Sequence, residues 1–129
     1  MNWRTFLLIA AGVSIGSGLA ALLVPAELAT VFGVQLNDVG LSQTRLLGAA
    51  YLGYAVMVWF AREVRDDIAQ RAIALGNVVS WALSLVVTVA GIATGLAGTQ
   101  SWLLVILEGV FAAGWGYFAF IDQREVAAA

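Results

Sequence analysis

Apolar residues collect in four long runs, and polar or charged residues collect in the short segments between them. The runs extend from about Thr5 to Val24, from Leu46 to Ala61, from Ile73 to Leu96 and from Trp102 to Ile121. The second is short unless it reaches back to Ser42. Runs of this length match the ~20 residues that cross a hydrocarbon core about 30 Å thick. An open sheet would leave its edge groups unpaired in lipid, so each run is predicted to be a helix. The pattern predicts an all-α integral membrane four-helix bundle, with helices over about 5–24, 42–61, 73–96 and 102–121 and one domain over residues 1–129.

The polar segments refine this outline. Pro25 can open a short helix through Phe32, with Gly33 as its stop. Its apolar Val31, Phe32 and Val34 place that segment in the membrane interface. Asp67 and Gln70 have capping-box spacing ahead of the third long helix. Arg62–Asp66 and Asp67–Arg71 stand at i,i+4, a spacing that supports a helix by a few tenths of a kcal/mol per pair. The first run, with Arg4 before it, has the outline of a signal peptide, but it is long for a signal core and the chain begins at Met1. A retained helix is expected.

Arginine placement predicts orientation. Arg4 precedes the first run, Arg62, Arg65 and Arg71 lie between the second and third, and Arg124 follows the fourth. The segments 25–44 and 97–100 have none. The positive-inside rule then puts both termini and the central loop in the cytoplasm, and the first outer loop holds the short helix. Trp3, Trp59 and Trp102 sit near predicted helix ends, where interfacial anchors belong.

Composition agrees with a lipid-solvated chain and removes several function classes. Hydrophobic residues make up 62% and charged residues 11% of the 129 residues. The net charge of −2 gives no basic field for nucleic acid. There is no Cys and no His, and all six cationic side chains are Arg. Disulfides, Cys/His metal sites, thiol catalysis and a His-ligated haem or pigment are thereby excluded. No cofactor, no metal and no catalytic residue is expected. An enzyme would have to rely on Glu108, an Asp or a tyrosine such as Tyr51 or Tyr54, none with a visible partner constellation.

Small residues form stripes. Asn77, Ser80, Ser84, Thr88, Gly91 and Gly95 share one face of the third long helix; Ala11, Ser14, Gly18 and Ala21 do so on the first. Gly12–Gly16 and Gly91–Gly95 are also GxxxG pairs. Such faces let helices approach closely, within one bundle or across a dimer seam. Asn77, Ser80 and Ser84 are read as structural polar positions, with Asn77 bonded to another helix or to a backbone carbonyl.

Charge inside the runs singles out two residues. Glu108 is the only charged residue from Ser101 to Ile121. A carboxylate at that depth is costly, which makes it a candidate for function. It lies six residues past Trp102, about 9 Å along the helix, on a face with Ala112, Trp115 and Ala119. Arg45 opens the second long helix on a face with Ala49, Leu52, Val56 and Trp59. Thr88 falls at a depth similar to Glu108 and could supply a hydroxyl. Two readings follow. Arg45 and Glu108 form an ion pair or water-bridged contact that fixes helix order, or they line a small polar cavity open to the outside, with Thr88 at hand. There Arg45 would receive an anionic or headgroup ligand and Glu108 would exchange a proton.

Several phrases occur together: Pro25 followed by Phe32-Gly33, then Arg45-Leu46-Leu47-Gly48-Ala49-Ala50, Trp59-Phe60-Ala61-Arg62, and Arg71-Ala72 before Gly76-Asn77. Over roughly Pro25 to Asn77 the chain resembles small bacterial four-helix membrane proteins of the DoxX-like kind. The resemblance implies a four-helix bundle in a bacterial inner membrane with Arg45 recurring at the start of the second helix. It implies no activity, although some DoxX-like proteins accompany quinol-oxidising complexes. The expected role is that of a non-enzymatic multi-pass protein, an accessory or assembly subunit or a small homo-oligomer, whose partners are the bilayer and other membrane-protein chains. The alternative is a small-molecule or lipid-headgroup binder or carrier at Arg45 and Glu108.

Overall fold

The computed structural model describes residues 2–121, and these are helical with no strand among them. The elements in order are α1 (Trp3–Leu23), α2 (Pro25–Val31), α3 (Asp38–Ala61), α4 (Asp67–Ala93), a 3₁₀ turn (Thr99–Ser101) and α5 (Trp102–Phe120). α1, α3, α4 and α5 with its leading turn are each long and apolar enough to cross a membrane. Arg124 lies outside the described residues.

Local chemistry sets the ends. Asn2, Asn37 and Asp66 are N-caps, accepting from the backbone N–H of Thr5, Gly40 and Ala69 at 2.9, 2.8 and 2.7 Å. The cap of α4 is therefore Asp66, one residue before the Asp67 of the expected capping box, and the Gln70 amide donates to the Val64 carbonyl instead, at 2.7 Å. α3 and α4 begin earlier than hydropathy suggested, at Asp38 and Asp67, because capped polar turns precede their apolar parts. Arg62 and Asp66 lie in the break between the helices, so their spacing supports no helix; Arg62 instead pairs with Glu63 at 3.1 Å.

Two helices stop at a glycine in the left-handed region. Gly33 follows α2 with φ 70°, and Gly95 follows α4 with φ 73°. In each case the next residue's N–H reaches back five residues, Val34 to Ala29 and Leu96 to Gly91, both at 2.9 Å. This is the Schellman arrangement, which any side chain with a Cβ would strain. Gly91–Gly95 is thus the stop of α4 rather than a helix-contact motif.

The bundle is built from two close pairs, α1 with α3 and α4 with α5. The first pair closes at glycine. A Cβ on Gly48 would lie 2.7 Å from the Leu22 amide nitrogen and 2.8 Å from the Gly18 carbonyl. Ala11, Ser14 and Ala21 are buried with it on the inner face of α1, while Gly12 and Gly16 face outward.

Between the pairs, one half of the bundle is filled by rings. Phe6 packs against Phe111, Trp115 and Phe118 with centroids 4.9–6.0 Å apart, and Trp3 packs edge-on to Trp115 and Phe118. Each such pair is worth about 0.5–1.5 kcal/mol beyond the area it buries. Trp3 is 8% exposed, so it is a core residue and not the surface anchor expected for it; Trp59 and Trp102 are exposed. The Trp3 indole also donates to the Ala61 carbonyl at 3.1 Å, tying the start of α1 to the end of α3. Arg4 and Arg62 meet on Glu63 at 3.0 and 3.1 Å at this end. The hydrogen bond from Arg62 does most to hold the exposed Glu63 carboxyl below the ordinary carboxylate range. The other half of the space between the pairs is left open.

Candidate functional site

That opening is a cavity of about 500 Å³ with walls from α1, α2, α3, α4 and α5. Its floor is Trp81, which stacks on Phe111 with centroids 4.9 Å apart and planes 16° from parallel. Its roof is α2 and the two loops at that end. The Phe32 carbonyl accepts from the Gly98 amide at 3.2 Å and from the Ser101 hydroxyl at 3.1 Å. Gly33 and Gly98 meet there at backbone distance, which only residues without a Cβ allow. The lining is mainly apolar, with Ser14, Ser17, Thr44, Tyr51, Ser84, Thr88, Ser101 and Glu108 as polar points.

Glu108 is the deepest charge among the described residues, at 6% exposure on α5. Two hydroxyls from α4 donate to its Oε1, Ser84 at 2.6 Å and Thr88 at 3.0 Å. Ser84 and Thr88 are one helical turn apart, so both point at the same spot. They share the carboxylate because α4 and α5 are a close pair. The second oxygen, Oε2, is buried and has no hydrogen-bond partner among the described residues. Carboxylate oxygens are acceptors, and a buried acceptor without a donor forfeits about 1–3 kcal/mol of desolvation.

The expected residues separate into two groups. Glu108 and Thr88 meet at 3.0 Å, and Ser84, read from the sequence as a packing residue, is the nearer donor. Arg45 is elsewhere: it is exposed, it makes no ion pair with Glu108, and it is absent from the cavity wall. The Gly18–Gly48 contact fixes the rotation of α3. It turns Thr44, Leu47 and Tyr51 to the cavity, while Arg45, Ala49, Val56 and Trp59 face outward. In this rotation Arg45 neither pairs with Glu108 nor lines the cavity that Glu108 borders.

Asn77 and Ser80 belong to a second space. A groove of about 300 Å³ runs between α3 and α4, lined by Ala50, Tyr54, Asn77 and Ser80 among others. The Tyr54 hydroxyl donates to the Asn77 side-chain oxygen, and the Asn77 amide donates to the Ile73 carbonyl at 2.9 Å. This polar link joins two helices whose backbones do not pack closely. Ser80 is exposed on the groove. Leu47, Tyr51, Trp81 and Ser84 border both the groove and the main cavity, so the two spaces adjoin.

The sequence announced α2 in the roof but singled out neither Ser101 beside it nor Trp81 in the floor, and it marked Tyr51 only as a candidate for enzymatic chemistry. One signal was available for Ser84. It precedes Thr88 by four residues on the same face, so any partner at the depth of Thr88 lies within reach of both.

A family model described as a domain of unknown function, DUF8292, matches residues 2–118, and the protein belongs to that family. No curated protein and no solved structure matches the chain.

Proposed function

We propose that this DUF8292 protein is an integral membrane protein that binds a small amphiphile between its two helix pairs, without chemistry. The observation that carries this reading is the Oε2 atom of Glu108, buried and without a hydrogen-bond partner among the described residues, on the wall of a cavity of about 500 Å³. Ligand sites are concave, mostly apolar, about 300–1,000 Å³, and carry a few polar groups that fix orientation. A carboxylate in a bundle interior is retained against its cost for a reason, and ligand binding supplies one. Membrane residence is supported by the four long apolar helices and by a surface of side chains such as Phe60, Leu83, Val86 and Val87, each more than 60% exposed. With Arg4, Arg62, Arg65 and Arg71 clustered towards one end, both termini lie in the cytoplasm and the cavity lies in the outer half of the bilayer. A bacterial inner membrane fits the DoxX-like phrases.

The test is direct. Protein purified in a mild neutral detergent is extracted with solvent, and the extract is compared by mass spectrometry with that of Leu104→Trp, which fills the cavity from α5. A small amphiphile enriched with the wild type and depleted from a folded Leu104→Trp is expected. Identical extracts overturn the reading.

A second reading, an accessory subunit or homo-oligomer, is supported by a different observation. Gly12 and Gly16 stand on the outer face of α1, and no atom lies within 4 Å of where their Cβ would be. A glycine pair of this spacing facing lipid is a surface that another helix can approach closely.

A further inference from the structure

We propose that the ligand held at Glu108 is a membrane-partitioned alkylamine, its ammonium group bonded to Oε2 and its tail in the apolar cavity. This rests on the amphiphile-binding reading and adds the chemistry of the head group and its route.

The first argument is donor balance. Ser84 and Thr88 both spend their hydroxyl protons on Oε1, and the described residues offer Oε2 no partner. With Glu108 ionised, the missing group is a hydrogen-bond donor rather than an acceptor. The second is charge. The chain has no His, and its six cationic residues are all Arg. Among the described residues, no Arg pairs with Glu108, and Arg45, the one at that end of the bundle, faces away from the cavity. An alcohol would supply a proton to Oε2 but no counter-charge; an ammonium supplies both, in a charge-assisted bond about twice as strong as a neutral one. The third is the wall. Tyr51, Trp81 and Phe32 are among the residues that line the cavity, and aromatic rings attract a cation rather than an anion.

The route follows from the adjoining groove. Between α3 and α4 the exposed Ala50 and Ser80 border a space that shares Leu47, Tyr51, Trp81 and Ser84 with the cavity. The Tyr54–Asn77 bond closes the groove on one side of that shared wall. An amphiphile dissolved in the bilayer would enter laterally from this groove by displacing the shared side chains, head towards Ser84 and then Glu108, without crossing the roof of α2 and its loops.

The experiment uses three probes with one tail and different heads: octylammonium, 1-octanol and 2-octanone. Each is equilibrated by dialysis with the full protein in phosphatidylcholine nanodiscs, and empty nanodiscs correct for partition. The wild type is expected to bind octylammonium at least about tenfold more tightly than 1-octanol, the ratio that one charge-assisted bond provides. In Glu108→Gln that preference disappears while 1-octanol binding stays. Because the ranking of heads is read on the wild type, it stands even if the variant does not fold. Equal binding of amine and alcohol overturns the ammonium assignment and leaves amphiphile binding intact. Tightest binding of 2-octanone overturns it as well, since Glu108 would then be the donor. No binding by any probe overturns both this inference and the reading beneath it.

Discussion

At Glu108 the two carboxylate oxygens live differently, and that asymmetry is what mutation can read. Ser84 at 2.6 Å and Thr88 at 3.0 Å hold Oε1 and join α4 to α5. Interhelical hydrogen bonds in a bilayer contribute about 0.6 kcal/mol on average and up to about 1.7. Ser84→Ala should therefore destabilise the protein by an amount in that range, and Thr88→Val by less, since its bond is the longer one. Reversible unfolding in mixed micelles measures both; a larger effect of Thr88→Val would contradict the geometry. Glu108 and Thr88 were legible in the sequence, one as a lone charge in an apolar run and the other from its depth. Arg45 was misplaced because adjacent helix positions differ by about 100°, and charge alone does not say which of two neighbouring faces turns inward. A glycine three residues on decided it.

On the scale of helices, glycines separate contacts made inside the bundle from surfaces left outside it. Gly48 is pressed on α1, where a methyl group would meet backbone atoms at 2.7 and 2.8 Å that cannot swing aside. Overpacking of this kind costs about 1–3 kcal/mol, so Gly48→Ala should separate α1 from α3 and lower the melting temperature clearly. Gly12→Ala meets open space and removes a flexible residue from a helix interior, a change worth about 0.5–1 kcal/mol in the stabilising direction. If α1 serves as a dimer seam, Gly12→Ile should lower the oligomer mass in native mass spectrometry while the monomer keeps its fold. The long apolar runs announced α1, α3, α4 and α5, and Pro25 with Gly33 announced α2. The beginnings of α3 and α4 were hidden because their first turns are polar and held by Asn37 and Asp66 caps, which hydropathy does not register. Gly95 shows the opposite failure: one spacing served for a helix contact and for a helix stop, and only the backbone at φ 73° distinguishes them.

For the whole molecule, the sequence specifies four long apolar helices far better than it specifies the space between them. Any lipid-solvated helix shows its length as an apolar run, whereas a cavity depends on which helices pair, and nearly uniform apolar faces do not record that choice. The hollow half arises because aromatic rings are concentrated around Phe6, Trp115 and Phe118 and are sparse beyond the Trp81–Phe111 stack. Whether that hollow opens towards the outer leaflet is a matter of orientation, which the arginines govern. Arg62, Arg65 and Arg71 lie at the α3–α4 turn and Arg4 beside it, paired to Glu63, while the loops that roof the cavity carry none. The chain has no Cys, so a single introduced cysteine reports one site without background. Gln35→Cys, exposed between α2 and α3, should react with a membrane-impermeant maleimide in intact spheroplasts. Ile68→Cys, 76% exposed at the start of α4, should react only after the membrane is opened. This substitution leaves all six arginines in place, so the probe does not disturb the signal it reads. The reverse labelling pattern would put the roof in the cytoplasm and Glu108 in the inner leaflet, and any amphiphile at Glu108 would then be drawn from that side.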